Sequence, residues 1–342
     1  PTARPARHAR PVPSRLRSLP PRAGNGSVSG RHFVGALPYG RRMITATDSA
    51  EPARAGTPEA AGTVRRPALS PSRAGDFKQC PLLYRFRVVD KLPERPTPAQ
   101  VRGTLVHTVL ERLFSLPAAE RVPERAKALL VPAWEKLAAE QPELARVFHE
   151  DEVTPETAWL ESAGKLIDTY FRLEDPRRLE PEACELRVEV EIGDGLLLRG
   201  FVDRLDVAPT GDLRVVDYKT GAAPRAVGEM RALFQMKFYA VALWRLRGVV
   251  PRQLKLIYLK DGEALAYSPD EAELVRFERT LGAIWRAILR AGETGDFRPS
   301  KSKLCDWCDH KAHCPAFGGT PPAYPGWPAL DLGTETALDR AD

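Results

Sequence analysis

Residues 182–219 read EACELRVEVEIGDGLLLRGFVDRLDVAPTGDLRVVDYK, and the fold turns on how that stretch is parsed. Leu186, Val188, Val190 and Ile192 alternate with charged neighbours. That is the period of a half-buried strand, because successive side chains of an extended chain point to opposite faces. Gly193-Asp194-Gly195 then supplies a turn, and a second strand runs from about Leu196 to Val207. Pro209-Thr210-Gly211-Asp212 reverses the chain again, and Leu213 to Lys219 makes a third strand. The expected result is a meander of three strands.

Working outward, a helix from about Gly228 to Arg247 follows, then a strand through Leu254 to Leu259, an Asp261-Gly262 turn, a short strand and a long helix near 270–292. Upstream, order is expected from Leu69. Ser70 and Pro71 cap and open a short helix toward Cys80 that stops at Pro81. A longer helix spans about Thr97 to Leu116, with Val101, Leu105, Val109, Leu113 and Phe114 as its apolar stripe and His107 inside it. Two more helical stretches lie near 122–140 and 155–174. Helices, three strands, helix, strand and helix describe an α/β protein, a mixed sheet covered by helices.

Composition bounds the rest. The chain has 342 residues with 43% hydrophobic content, enough for a substantial core, and a net charge of +6. Residues 1–66 hold 12 Arg and no Lys against Asp48, Glu51 and Glu59, a balance of +9, which leaves −3 for the remainder. The basic pI therefore belongs to a Pro/Arg-rich segment expected to be disordered, and a DNA-binding surface elsewhere has to be a local patch. That segment is Arg-rich and acid-poor like a transit peptide, but its prolines oppose an amphipathic helix. Met43 within it is a candidate start codon for a shorter protein. No run approaches the roughly 18 apolar residues of a membrane helix, so a cytoplasmic location with reduced cysteines is expected.

The period of two puts Asp217 and Lys219 on one face of the third strand, with Tyr218 turned away. Asp203, in Gly200-Phe201-Val202-Asp203-Arg204, lies on the preceding strand, where a short turn can bring it beside Asp217. Two carboxylates at that distance repel unless a cation sits between them. A hard divalent ion, Mg²⁺ or Mn²⁺, is the natural occupant. Such an ion would neutralise a phosphodiester and activate water; Lys219 would then position or deprotonate that water, or stabilise the transition state. Taken singly, Asp-x-Lys has the ordinary explanation of a solvated strand face, and His107 that of a packed helical histidine. The ordered set is what carries information: His107 on a helix, Asp203, Asp217-Tyr218-Lys219, then Gln235 and Tyr239 at i and i+4 on one helical face.

That set resembles the PD-(D/E)xK nuclease superfamily, and within it the RecB-type nuclease domain of RecB family exonucleases and CRISPR-associated single-strand exonucleases. The resemblance spans about residues 69–317. It implies a restriction-endonuclease-like mixed β-sheet core flanked by helices, with an N-terminal helical part and a C-terminal cysteine-bound cluster. A nuclease domain over 67–317 would then carry a helical insertion near 117–180, followed by a flexible tail over 318–342. By the match, His107, Asp203 and Asp217 bind metal, joined by the carbonyl of Tyr218, and Lys219 is the catalytic lysine. Gln235 and Tyr239 assist in substrate contact and in ordering the lysine and metal site. Glu111, one turn after His107, is read as a solvated charge.

Cys305-x2-Cys308-x5-Cys314 follows the last long helix, and Cys80 lies 224 intervening residues before it at another element boundary. Four thiolates suit a [4Fe-4S] cluster or tetrahedral zinc, and His310 or His313 could complete a zinc site with three of them. Cys184, within a strand, is expected to be an inert buried thiol. The resemblance favours the iron-sulfur cluster, since one cysteine before the core and three after it form such a structural staple in the RecB-type subgroup.

No Gly-x-x-x-x-Gly-Lys-Ser/Thr occurs, so unwinding would need a separate helicase. The expectation is a metal-dependent DNA exonuclease acting on single-stranded or frayed ends in repair or recombination. The alternatives are a non-catalytic DNA-binding or scaffold subunit of a helicase-nuclease complex, and a restriction-type enzyme cutting internally.

Overall fold

A six-stranded mixed sheet forms the centre of the computed structural model, which describes residues 67–327 apart from 146, 151–154 and 224–225. The segment expected to be disordered over 1–66, Met43 within it, and the chain from 328 onward lie outside the described residues. The strands are β1 (Ala68–Leu69), β2 (Ala183–Ile192), β3 (Leu196–Val207), β4 (Leu213–Lys219), β5 (Gln253–Tyr258) and β6 (Glu263–Tyr267). β2 and β3 are antiparallel from Ala183↔Leu205 to Ile192↔Leu196, and β4 and β5 are parallel from Arg214↔Gln253 to Lys219↔Tyr258. β6 returns antiparallel to β5.

The meander is interrupted in one place. β3 pairs with β4 only over Arg204↔Val216 to Val207↔Leu213, and its first half pairs instead with β1, in parallel, at Leu197 and Leu198. β1 is too short to be read from the sequence. By taking one edge of β3, it splits β3 from β4 at Asp203.

Both faces of the sheet are covered. β4 shows the alternation directly: Val215 joins one apolar cluster while Val216 and Tyr218 join the other. The first cluster is closed by α9 (Ala226–Arg247) and α10 (Glu271–Thr294). Residues Phe238 to Leu243 of α9 are buried without a break, the signature of a helix enclosed on all sides, here by the sheet and α10. Asp270 caps α10 by accepting from Glu273 N at 2.7 Å, and Gly295 ends it at a φ of 70°, a left-handed stop that favours glycine.

The second cluster is the helical part. α3 (Pro98–Phe114) starts at a capping box of Thr97 and Gln100 and buries Val101, Leu105, Val109 and Leu113, the stripe read from the sequence. α4 (Pro123–Ala128), α5 (Leu130–Glu140), α6 (Pro142–Ala145), α7 (Val147–Glu150) and α8 (Glu156–Leu173) pack around it. Trp134, Phe148 and Trp159 meet edge to face with ring centroids 5.0–5.5 Å apart. A helical layer with its own apolar cluster therefore sits on the sheet face carrying Tyr218.

α1 (Pro71–Gln79) is capped by Ser70, which accepts from Arg73 N at 3.3 Å, and Pro81 restarts the chain as α2 (Pro81–Tyr84). Cys80 is held in the extended residue between them. At the other end, residues 318–327, expected as the start of a loose tail, pack on the domain. Tyr324 donates to Gly292 O at 2.5 Å, Arg85 donates to Pro322 O, and Trp327 lies over Gly292, where an added Cβ would meet its ring at 2.5 Å. Aromatic burial against α10 holds this segment, a tertiary effect that Pro/Gly-rich composition hides. Among the described residues no helix is long and apolar enough to cross a membrane.

Candidate active site

The fork between β3 and β4 is where the polar residues converge. One step past the last β3–β4 pair the register puts Asp203 opposite Asp217, and the register of β2 with β3 puts Glu185 opposite Asp203. Three carboxylates therefore stand in a row across three strands, at a level where neither ladder closes. The amide of Tyr218 donates to Asp203 Oδ2 at 2.7 Å, so a side chain replaces the strand partner that β3 no longer provides. Glu185 has a φ of 47°, a left-handed conformation that costs a non-glycine residue about 1 kcal/mol or more.

His107 reaches the row from α3. Its Nε2 is 2.9 Å from the carbonyl of Tyr218, which can only accept, so Nε2 carries the proton. Nδ1 faces Asp203 Oδ2 at 3.5 Å and Glu185 Oε1 at 3.8 Å. Donor atoms of His107, Glu185 and Asp203 all lie within 4.8 Å of one another. Burial alone would lower the His107 pKa, but the carboxylates of Asp203, Glu185 and Asp217 outweigh it and push it up. Asp203 is pushed up as well, first by burial and then by Asp217 and Glu185, against the opposing pull of His107 and Lys219. Both shifts describe acids crowded around too little positive charge.

Lys219 and Asp217 share a face, as strand period requires, with Nζ 3.1 Å from Asp217 Oδ2. Asp217 is only 2% exposed. Lys219 Nζ donates to Gln235 Oε1 at 2.7 Å, and Gln235 in turn hydrogen-bonds Tyr239 one turn along α9. Gly200 explains why glycine begins the Gly-Phe-Val-Asp-Arg stretch: a Cβ there would meet Tyr239 Cε1 at 2.9 Å, within a buried ring. Gly200→Ala is expected to displace Tyr239, loosen Gln235 from Lys219, and cost about 1–3 kcal/mol through overpacking. Thermal unfolding with parallel cleavage assays checks it; an undisturbed variant would mean that the ring yields freely.

A divalent cation fits this donor set. Among the buried side-chain atoms without a hydrogen-bond partner of good geometry are His107 Nδ1 and Asp217 Oδ2, and these two stand at the acid row. Such orphans are costly in a buried site unless a cation satisfies them. The candidate ligands are Asp203, Glu185, His107 and Asp217, with the Tyr218 carbonyl beside them. His107, Asp203, Tyr218, Lys219, Gln235, Tyr239 and Glu185 open into one groove of about 810 Å³. Every residue expected at the site from the sequence is thus at this fork. Glu185 is the one that sequence reading missed: on an alternating strand it looked like a solvated charge. Counting the hairpin register back from Gly193-Asp194-Gly195 would have found it opposite Asp203. Glu111 is exposed.

Cys80, Cys305, Cys308 and Cys314 line one small cavity of about 30 Å³, and Cys80 and Cys305 accept from the amides of Ser300 and Ser302, each at 3.4 Å. Among the described residues no three of these sulfurs lie within 4.8 Å of one another. His310 is turned elsewhere, with Nε2 2.9 Å from Glu94 Oε1. Cys184 is half-buried on β2, and burial first of all pushes its thiol up to about 12, an unreactive state.

A helix-covered mixed sheet with two acids and a lysine where its strands part defines a restriction-endonuclease-like α/β fold. Residues 68–315 match the profile of the PD-(D/E)XK nuclease superfamily, and the chain belongs to that superfamily. Two relatives, the gene 69 proteins of Mycobacterium phages L5 and D29, are 27% and 26% identical over 295 and 294 residues. These matches take in 73% and 74% of this chain and 97% and 98% of theirs. A crystal structure of a candidate exonuclease from Eubacterium rectale is similar with a TM-score of 0.48 and 13% identity, over 71% of this chain and 87% of that one.

Proposed function

We propose that the protein is a RecB-type, Mg²⁺- or Mn²⁺-dependent exonuclease that hydrolyses DNA from single-stranded or frayed ends, in repair or recombination. The observation that carries the reading is the row Glu185–Asp203–Asp217 with His107 above it and Lys219 beside it, at the floor of an open groove. A bound divalent ion supplies Lewis acidity toward the scissile phosphate and lowers the pKa of water beside it. Asp203, Glu185 and His107 hold that ion, and Asp217 serves both it and Lys219. Lys219 is oriented from two sides, by Asp217 and Gln235, so its ammonium enters the groove with little freedom left to lose. There it holds the attacking water or the negative charge that builds on phosphorus oxygens as the P–O bond breaks. Processive unwinding is left to a separate helicase.

Metal-titrated digestion of end-labelled single and double strands tests this. Products shortening from an end, only with Mg²⁺ or Mn²⁺ and faster on single strands, are expected. Tight binding without any cleavage would turn the reading into that of a scaffold subunit, and internal cuts would indicate a restriction-type enzyme.

We further infer that Cys80, Cys305, Cys308 and Cys314 hold a [4Fe-4S] cluster, zinc being the alternative. Tying residues separated by 224 intervening positions, it would act as a structural staple, and its loss should loosen the domain as a whole. Protein purified without oxygen is expected to be brown, with about four iron atoms per chain. Colourless protein carrying zinc would overturn the assignment.

A further inference from the structure

Trp307 is 78% exposed, more than any other large apolar side chain among the described residues, and no described residue bonds or stacks with its ring. Its exposure is built in. The turn Lys303–Trp307 is pinned by Ser302, which accepts from Leu304 N at 3.2 Å, and Cys305 and Cys308 flank the tryptophan. Trp307 lines the same groove as Asp203 and Lys219. The groove has little positive charge to hold a polyanion: six carboxylates line it against four Lys or Arg side chains, and Arg87 among these is already paired with Asp76 and Glu94. Phosphate attraction alone is a weak grip there. An indole on a rigid turn supplies another, since a base can stack on it whatever its sequence.

We propose that Trp307 is a stacking platform for an unpaired base of the strand entering the groove, and that it makes the site selective for single-stranded ends. The proposal rests on the exonuclease reading above. In a duplex the faces of internal bases are covered by their neighbours and only the outer face of the terminal pair is open, so a base within the strand has to be unpaired or frayed to lie flat on the ring. Trp307 is then a positioning residue that touches substrate away from the scissile bond, and its removal weakens binding without touching the chemistry.

The full chain with Mn²⁺ is compared with Trp307→Ala and Trp307→Phe. The substrates are an end-labelled oligothymidylate, versions with one abasic site stepped along it, a blunt duplex, and bis(p-nitrophenyl) phosphate as a diester without bases. Trp307→Ala should raise KM for the single strand about 10-fold, the scale of one lost stack, with kcat unchanged. Trp307→Phe should recover most of it. One abasic position should cost the wild type a similar factor and cost Trp307→Ala nothing, while both hydrolyse the base-free diester equally. An unchanged KM, or an abasic penalty that persists in Trp307→Ala, overturns the proposal. So does loss of base-free diester hydrolysis in Trp307→Ala, which would mean a structural role through the cysteine turn. If the wild type cleaves nothing, the nuclease reading fails separately, and fluorescence anisotropy with the same oligonucleotides still decides: abasic-sensitive binding lost in Trp307→Ala upholds stacking, and any other pattern removes it.

Discussion

Asp217→Asn is expected to reduce metal-dependent cleavage by about 100- to 1,000-fold, the scale seen when one preorganised electrostatic group is removed from a hydrolase site. The substitution keeps shape but takes away the charge that faces both the acid row and Lys219 Nζ, 3.1 Å away. Stability should move the other way. Asp217 is one of the groups that push the Asp203 carboxyl up, and removing it relieves like-charge crowding in a buried site. Without metal, the variant is therefore expected to unfold at the same temperature as the wild type or higher. Saturating Mn²⁺ should stabilise the wild type, by about 2.7 kcal/mol at 100 times Kd, and the variant much less. Paired thermal melts and cleavage rates check both halves. Retained activity in Asp217→Asn, or an equal gain from Mn²⁺, would place the ion elsewhere.

Arg204→Met is expected to destabilise the domain by about 3–5 kcal/mol, lowering Tm by on the order of 10 °C. Arg204 is fully buried between the rings of Phe114 and Tyr218. It donates to both oxygens of Glu174 at 2.8 and 3.2 Å, to both of Asp206 at 3.0 and 3.2 Å, and to the Tyr218 hydroxyl at 2.5 Å. Removing the guanidinium leaves two buried carboxylates with only Lys255 and Arg214 as partners. Most of the cost is that stranding, so Glu174→Gln in the same chain should return part of it. Cleavage should fall as well, since Tyr218 is held by Arg204 on one face of the sheet and by Asp203 and His107 at its backbone.

The same network sets an acid limit. Burial pushes the Glu174 carboxyl up, but its bonds and charge contacts with Arg204 and Lys255 outweigh this and hold it below the ordinary value of 4.5. A carboxylate with a lowered folded pKa contributes its full stability above the unfolded value and loses it as pH falls through the folded one. Wild-type stability should therefore drop more steeply below pH 4.5 than that of the Arg204→Met, Glu174→Gln protein. Parallel denaturation curves at pH 3–6 measure the difference, and identical pH slopes would show that the pair carries no linkage.

Much of this site could be read in one dimension because it depends on local periods. Asp217 and Lys219 share a face by the two-residue repeat of β4. Gln235 and Tyr239 stack by the helical turn, and the capping box at Thr97 starts the helix that carries His107. Glu185 escaped because its importance lies in what stands opposite it on β3, and its own strand pattern looks like any solvated edge. Gly200 escaped for a related reason: nothing near it in the chain calls for glycine, whereas the ring of Tyr239, from another element, does.

The sequence by itself determined the strand and helix periods, the order of chemical groups along the chain, and the placement of the overall positive charge in residues 1–66. Backbone geometry makes these local properties, so they survive without knowledge of any long-range contact. Tertiary structure alone decided where β3 leaves β4, because a two-residue strand 128 positions upstream competes for the same edge. It likewise decided that Cys80 meets Cys305, Cys308 and Cys314, that residues 318–327 pack on α10, and that Trp307 stands unpaired over the groove. Each of these depends on which distant surfaces bury one another, and composition leaves that choice open until the sheet and its two layers of helices are assembled.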